Sequence, residues 1–163
     1  MTAELPDFVG LKMRYDNEAF PTGARAELRR VAEPNDVAFT PALYRLFPGQ
    51  RPDDRHLRLA YLLPCCKHAA KAKSLGAQLA EAKVAEARVL QVARSHAPLD
   101  MVQLRRLLMH LEPTVDWSEF GRMAWYWNDR AKRQLVEDFY IARFTPAKGE
   151  EKRLPRISST STF

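Results

Sequence analysis

Among the side chains in this sequence that could support metal-dependent or acid–base chemistry are four histidines and two pairs of adjacent carboxylates. The carboxylate pairs are Asp53–Asp54 and Glu137–Asp138. Adjacent helical residues diverge by about 100°, so neither pair converges on one ion. No His-x-x-x-His or His-Glu-x-x-His spacing puts two imidazoles on one helical turn, as a zinc site would need. We predict no metal site, and structural or surface roles for the four histidines, His56, His68, His96 and His110.

Nucleophilic and nucleotide-hydrolysing chemistry is not indicated either. The six glycines are scattered, and none forms the Gly-x-x-x-x-Gly-Lys loop that cradles phosphates. No serine lies in a Gly-x-Ser-x-Gly turn. Cys65 and Cys66 are adjacent, and without a second pair they cannot complete a zinc site. We predict two buried free thiols in a chain that is not an enzyme and has no catalytic residue and no cofactor.

Closely spaced arginines are the best candidates for binding chemistry, because a planar guanidinium matches the oxygens of a phosphate. They occur at Arg29–Arg30, at Arg105–Arg106, and three residues apart at Arg130 and Arg133. Each pair could equally be a solvated helix face without a ligand. The net charge of +6 and the pI near 9.5 favour a polyanionic partner.

The charge is distributed unevenly along the chain. Residues 1–60 and 100–145 hold equal numbers of basic and acidic side chains, whereas residues 61–99 carry a net charge of +4 and residues 146–163 carry +2. A binding surface in the neutral parts must therefore come from where arginines are placed. No apolar run approaches the roughly 20 residues that span a bilayer, and the N-terminus has no secretory pattern. We expect a cytoplasmic protein without a membrane partner.

An aromatic run at Trp125-Tyr126-Trp127, with Trp117 and Phe120 before it, allows two interpretations. Single-stranded bases stack on such rings beside basic grooves, and exposed rings also contact partner subunits. The helical intervals at which Trp117, Phe120 and neighbouring apolar residues recur are typical of a packed core instead. We favour packing for Trp125 and Trp127.

The apolar pattern predicts an all-α protein. Leu, Ala, Arg and Glu are abundant, and no sustained alternation of apolar and polar residues indicates a strand. We expect an elongated helical bundle of about seven to nine helices. Residues 1–145 would form a single domain, either undivided or in two lobes joined near residues 95–100. Residues 146–163, rich in charged residues, serine and threonine, are expected to be a flexible tail.

Prolines and cap residues predict where the helices begin and end. The first helix is expected from about Pro6 to Ala19, and Pro64 is expected to kink or split another. At Asp100 and Asp116 the pattern is a capping box, with Gln or Glu three residues later. N-caps are predicted at Thr22, Thr40, Asp53, Ser74, Asp100 and Asp116, and first helical residues at Pro41 and about Asp129.

The helix that follows Asp100 is expected to have a core side and an arginine side. At about 100° per residue, its apolar residues share one face. Arg106 falls opposite that face and Arg105 on its flank. The apolar residues are Met101, Leu104, Leu107, Leu108 and Leu111.

The run from Asp100 to Pro113, followed by Asp116-Trp117, resembles the signature helix-turn-helix of the CasB family, the small subunit of the type I-E CRISPR Cascade complex. Further matches stay in order along residues 25–143. They include Arg29-Arg30-Val31, Glu33-Pro34, Tyr44-Arg45-Leu46, Arg55-His56, Ser74-Leu75-Gly76, Arg122-Met123 and Gln134-Leu135. The residues outside this range do not match. The short glycine turn that we would expect around Glu81-Ala82-Lys83 is absent, so that helix is predicted to run on unbroken.

The resemblance implies a non-catalytic subunit, present as two copies along the inner face of an RNA-guided complex. It contacts DNA once guide RNA has invaded the duplex. Expected partners are the backbone and large Cascade subunits, a second copy of the chain, CRISPR RNA, and the target or displaced DNA strand. Arginines would neutralise phosphates without reading bases, which stabilises the opened R-loop in antiviral defence. The alternative is a helical scaffold that makes only protein–protein contacts.

The resemblance also ranks the basic residues. Arg30 and Arg55 match basic positions of the family that are implicated in nucleic-acid contact, and Arg106 and Arg130 match further basic positions. Another basic position of the family is lost here, and Arg94 is the candidate to substitute for it. The complete set of predicted nucleic-acid contacts is Arg29, Arg30, Arg55, Arg94, Arg105, Arg106, Arg130 and Arg133.

Overall fold

The computed structural model describes residues 5–146, so nearly all of the predicted tail lies outside the described residues. Within them the chain forms nine α-helices and two short 3-10 turns, which confirms the all-α prediction. The α-helices are α1 (Phe8–Asp16), α2 (Thr22–Arg30), α3 (Pro41–Leu46), α4 (Asp54–Leu62), α5 (Leu75–Glu81), α6 (Glu86–Arg94), α7 (Leu99–Leu111), α8 (Trp117–Trp125) and α9 (Asp129–Phe144). The 3-10 turns are Pro34–Phe39 and Leu63–Cys65.

Most of the predicted helix starts are confirmed by the cap contacts. Asp53, Ser74 and Asp116 each accept a hydrogen bond from a backbone N–H in the first turn of the helix that follows, which satisfies one of its free donors. Pro41 is the first residue of α3, where its missing N–H costs nothing. Pro64 lies in the 3-10 turn after α4, so the helix is split where a proline was expected to split it.

Three predicted boundaries are wrong. Thr22 is the first residue of α2 and not its cap, because the carbonyl of Pro21 accepts the first helical hydrogen bonds. Asp100 is the second residue of α7, and its carboxylate turns into a buried ion pair instead of capping the helix. α1 is shorter at both ends than the predicted helix from 6 to 19, and Asp7 caps it by accepting from Gly10 N–H at 2.9 Å.

The helix predicted to run on unbroken through residues 81–83 instead ends there. The N–H of Lys83 donates to the carbonyl of Ala80, and the N–H of Val84 donates to that of Leu79, both at 3.0 Å. This pair of bonds is a Schellman motif, which normally places glycine where Lys83 stands with φ of 58°. A lysine in this left-handed conformation costs about 1 kcal/mol relative to glycine. Because lysine stands where glycine is usual, the sequence does not reveal that the helix ends here.

A two-residue parallel ladder was missed by the sequence analysis. Strands β1 (Lys67–His68) and β2 (Thr114–Val115) pair in the register Lys67 to Thr114 and His68 to Val115. Two residues are too few to show the alternation that identifies a strand. The ladder ties the segment after α4 to the turn between α7 and α8.

The helices pack around one contiguous apolar cluster. α5 and α6 pack on α9, α1 and α4 pack on α8, and α7 contacts both α6 and α4. A β-carbon at Gly76 would lie 2.6 Å from the backbone oxygen of Leu135, so glycine is needed for α5 to approach α9 this closely. Cys65 and Cys66 are buried free thiols, as predicted, and burial raises the pKa of the Cys65 thiol to about 11.

Neither a candidate metal cluster nor a membrane-spanning helix occurs in residues 5–146. That part of the chain contains no group of three or more His, Cys, Asp and Glu side chains arranged to hold a metal ion. None of its helices is both long enough and apolar enough to cross a membrane.

Candidate nucleic-acid interface

The structure divides the basic side chains into those that bind the ends of other helices and those that face outward. Arg105 belongs to the first group. It is 6% exposed, and its guanidinium donates to the carbonyls of Tyr61 at 2.9 Å, Leu28 at 2.9 Å and Arg29 at 2.8 Å. These carbonyls lie in the last turns of α4 and α2, where no helical N–H can reach them. The predicted nucleic-acid contact at Arg105 is therefore wrong, because its donors are already bound inside the protein.

Three more arginines bind helix C-termini in the same way. Arg58 donates to the carbonyls of Ala124 and Trp125 at the end of α8, at 2.9 and 2.8 Å. Arg14 donates to the last carbonyl of α3 at 2.9 Å, and Arg25 donates to a carbonyl near the end of α1 at 3.2 Å. A cation is favoured at this end of a helix by the unsatisfied carbonyls and the helix dipole. Some of the basic residues in this chain therefore stabilise the fold by binding the C-terminal ends of helices.

A buried ion pair joins α6, α7 and α9. The ammonium of Lys132 lies 2.8 Å from a carboxylate oxygen of Asp100 and donates to the carbonyl of Ser95 at 2.7 Å. The indole N–H of Trp127 donates to the same carboxylate at 2.9 Å. Both charged side chains are buried, so their mutual attraction is needed to offset the free-energy cost of removing each charge from water. Trp127 therefore has a packing role, as predicted.

Arg55 is presented on an aromatic platform at the N-terminus of α4. Its guanidinium carbon lies 4.4 Å from the centre of the Trp125 ring, and one amino group lies 2.7 Å from a carboxylate oxygen of Asp53. The hydrogen bond from Arg55 holds the pKa of the Asp53 carboxyl well below its usual range. The Arg55 side chain is still 41% exposed. It can therefore reach a phosphate while its position is fixed.

The platform itself is built from buried rings. His56 packs edge-on against Phe47 and Trp125, with ring centres 4.7 and 5.0 Å apart. His56 also accepts a hydrogen bond from the N–H of Asp53 at 3.0 Å, and His68 accepts one from the N–H of Trp117 at the same distance. The structural roles predicted for these two histidines are confirmed, and so is the packing role of Trp125.

The remaining candidate arginines lie on the surface of four helices. Arg29 and Arg30 end α2, and Arg106 lies on α7 beside the buried Arg105 that binds the end of α2. Because Arg105 binds backbone carbonyls at the end of α2, Arg29, Arg30 and Arg106 all lie near the junction between α2 and α7. The other exposed candidates are Arg94 at the end of α6 and Arg130 and Arg133 on α9. Arg133 also pairs with Glu137 at 3.3 Å, one turn along the helix.

Two exposed arginines in this region, Arg51 and Arg122, are not among the contacts predicted from the sequence. Arg51, Arg55 and Trp125 line a cleft of about 660 Å³ between α1, the segment before α4, and the end of α8. Arg122 lies on α8 near Tyr126, with its guanidinium carbon 5.8 Å from the ring centre. Neither arginine has a basic neighbour in sequence, so neither was selected as part of an arginine pair. The cleft that Arg51 shares with Arg55 arises from the tertiary structure.

Comparison with known proteins identifies relatives along most of this chain. Residues 24–140 match the family of the CRISPR-associated protein Cse2. The Cascade subunit CasB of the CRISPR system in Escherichia coli K12 is 38% identical over 135 residues, and the match covers 73% of this chain and 84% of that protein. A chain in the crystal structure of E. coli Cascade bound to a PAM-containing double-stranded DNA target is 36% identical, with a TM-score of 0.76. The match covers 85% of this chain and 99% of that one. The chain therefore belongs to the CRISPR-associated Cse2 family.

Proposed function

We propose that this chain is a non-catalytic subunit of a type I-E CRISPR Cascade complex, in which it binds nucleic acid and stabilises the R-loop formed on the target. The observation that carries the proposal is the family match over residues 24–140, together with 38% identity to a Cascade subunit. That relative's structural counterpart belongs to a complex bound to double-stranded DNA. Other Cascade subunits, a second copy of this chain, CRISPR RNA and DNA are the proposed partners.

Exposed arginines supply the binding chemistry in this proposal. Arg30 and Arg106 face outward near the α2–α7 junction, and Arg55 is held on Trp125 with its outer edge in solvent. Guanidinium groups bind phosphate oxygens without reading bases, which suits a complex whose sequence recognition comes from guide pairing. Arg29, Arg94, Arg130 and Arg133 remain further proposed contacts.

A scaffold that contacts only protein is the second candidate function. It is favoured by the ion pairs that occupy some exposed basic residues, such as Arg133 with Glu137 and Lys73 with Glu81. Under this alternative, the outward arginines would contact carboxylates of neighbouring subunits. The two functions therefore predict different consequences when an arginine's charge is reversed.

Charge reversal at Arg30 and Arg55 separates the two functions. The double variant Arg30→Glu/Arg55→Glu would be compared with Arg88→Glu, an exposed arginine of α6 outside the candidate set. Two quantities would be measured: incorporation into a guide-loaded Cascade complex, and binding of labelled target DNA by the assembled complex. The proposal expects normal incorporation and weakened DNA binding for the double variant, with neither changed for Arg88→Glu. Lost incorporation with unchanged DNA binding by whatever complex forms would favour the scaffold.

Salt dependence gives a second test with the isolated chain. Phosphate contacts release counterions, so the affinity for single- or double-stranded DNA should fall steeply as salt rises. Each phosphate contact that is removed should lower the slope of log K against log salt by about 1. Absence of salt-sensitive binding at low salt and high protein concentration, together with failure to join the complex, would overturn the proposal.

A further inference from the structure

The middle ring of the Trp125-Tyr126-Trp127 run is the one that the fold leaves at the surface. Trp125 is buried under Arg55, and Trp127 is fixed by its hydrogen bond to Asp100. Tyr126 follows the last residue of α8 and is 46% exposed. Packing therefore accounts for the two tryptophans and leaves an aromatic face available at Tyr126.

Two guanidinium groups lie along this end of α8. The guanidinium carbon of Arg122, one turn earlier on α8, is 5.8 Å from the centre of the Tyr126 ring. Arg55 lies over the ring of Trp125, the residue before Tyr126 in the chain, with 4.4 Å between its guanidinium carbon and the ring centre. One cation therefore lies near the exposed ring itself, and a second, from α4, is held on the neighbouring ring.

The backbone at Tyr126 is held in place by contacts to other parts of the fold. Arg58 donates to the carbonyls of Ala124 and Trp125, and the N–H of Tyr126 donates to the carbonyl of Arg122 at 3.0 Å. An exposed ring on a fixed backbone loses little conformational freedom when a ligand stacks on it. Proteins bind single strands by stacking bases on exposed aromatic faces and binding phosphates with nearby basic groups, and Tyr126 with Arg122 and Arg55 offers both.

We propose that Tyr126 is a stacking site for an unpaired base of single-stranded nucleic acid, with Arg55 and Arg122 binding the flanking phosphates. The inference rests on the proposed function, because it adds a base contact to the phosphate contacts proposed there. Every base has an aromatic face, so the site is independent of base sequence. A base inside a duplex is already stacked on its neighbours, so the site distinguishes unpaired strands from double-stranded DNA.

The experiment compares a normal single-stranded oligonucleotide with one of equal length whose sites are abasic, which keeps every phosphate. Binding of the full chain would be measured by fluorescence anisotropy at low salt. We expect the wild-type chain to bind the normal strand at least about fivefold more tightly than the abasic strand. Tyr126→Ala and Tyr126→Leu should remove this difference, whereas Tyr126→Phe should keep it. Tyr44→Ala is the matched control, because Tyr44 is 48% exposed.

The outcomes separate stacking from the phosphate contacts. Arg55→Ala should weaken binding of both strands, because both carry the phosphates. Equal loss on the normal and abasic strands in Tyr126→Ala, or equal binding of the two strands by the wild-type chain, would overturn the stacking site and leave the proposed function standing. If the wild-type chain bound neither strand and Arg55→Ala changed nothing in the assembled complex, both proposals would fall together.

Discussion

Arg105 and Arg106 are neighbours in sequence with opposite environments, and replacing each by alanine should separate stability from binding. Arg105 donates to three carbonyls at the ends of α2 and α4 and lies over the Tyr61 ring, 4.3 Å from its centre. Arg106 is exposed on α7. Arg105→Ala should therefore destabilise the fold, and Arg106→Ala should weaken nucleic-acid binding by a folded protein.

The expected loss in Arg105→Ala follows from its contacts. Hydrogen bonds from a charged donor are worth about 1.5–3 kcal/mol each, but three of them on one side chain do not add fully, since water can enter the space left behind. Arg105→Ala leaves three carbonyls without a donor, and because water can satisfy some of them the total loss should be about 3–5 kcal/mol. We expect the free energy of unfolding to fall by about that amount in Arg105→Ala, and to change by less than about 0.5 kcal/mol in Arg106→Ala.

Urea unfolding followed by circular dichroism measures both changes. The slope m should stay constant, so that the midpoints report stability. If Arg105→Ala is too unstable to fold, Arg105→Lys keeps the charge, offers one donor group to three carbonyls, and should give a smaller but measurable loss. A loss below about 1 kcal/mol in Arg105→Ala, or equal losses in both alanine variants, would refute the assignment of Arg105 to the fold.

Three further predictions concern buried charge, binding and a turn. Lys132→Met should lower the free energy of unfolding by about 3–5 kcal/mol, because Asp100 would stay buried without its partner. Urea unfolding measures this change, and a clearly smaller loss would contradict the prediction. Asp53→Asn keeps the helix cap but removes the carboxylate that competes with phosphate for Arg55. It should therefore increase DNA affinity several-fold more than Asp54→Asn, which makes the same change in charge. Anisotropy titrations measure both affinities, and equal effects would contradict the prediction. Lys83→Gly should raise the thermal midpoint by relieving about 1 kcal/mol of backbone cost, and a lower midpoint would argue against the Schellman turn.

The helices were predictable because their signals are local. Caps at Asp53 and Asp116 act on backbone within three residues, so sequence alone identified them. Asp100 carries the same pattern as Asp116, but Lys132, far along the chain, draws its carboxylate into the core. A local pattern cannot distinguish these two outcomes. The Schellman turn at Lys83 was missed for the related reason that its usual glycine is absent.

The candidate site was predictable only in part. Helical periodicity separated Arg106 from the core face correctly, but it could not show that carbonyls 44 and 77 residues before Arg105 would bind its guanidinium. Arg122 has no basic neighbour in sequence and was not predicted as a contact, and the position of Arg55 over Trp125, one turn along α8 from Arg122, arises from the packing of α4 on α8. Burial and long-range hydrogen bonding thus decide which basic residues remain free for a ligand.

Nucleic-acid binding by this chain can be tested by crosslinking the assembled complex to labelled target and displaced strands and mapping the crosslinked residues by mass spectrometry. We predict crosslinks in peptides that contain Arg30 and Arg55, at DNA positions that do not depend on base sequence. Crosslinks confined to other subunits, in complexes shown to contain this chain, would contradict it.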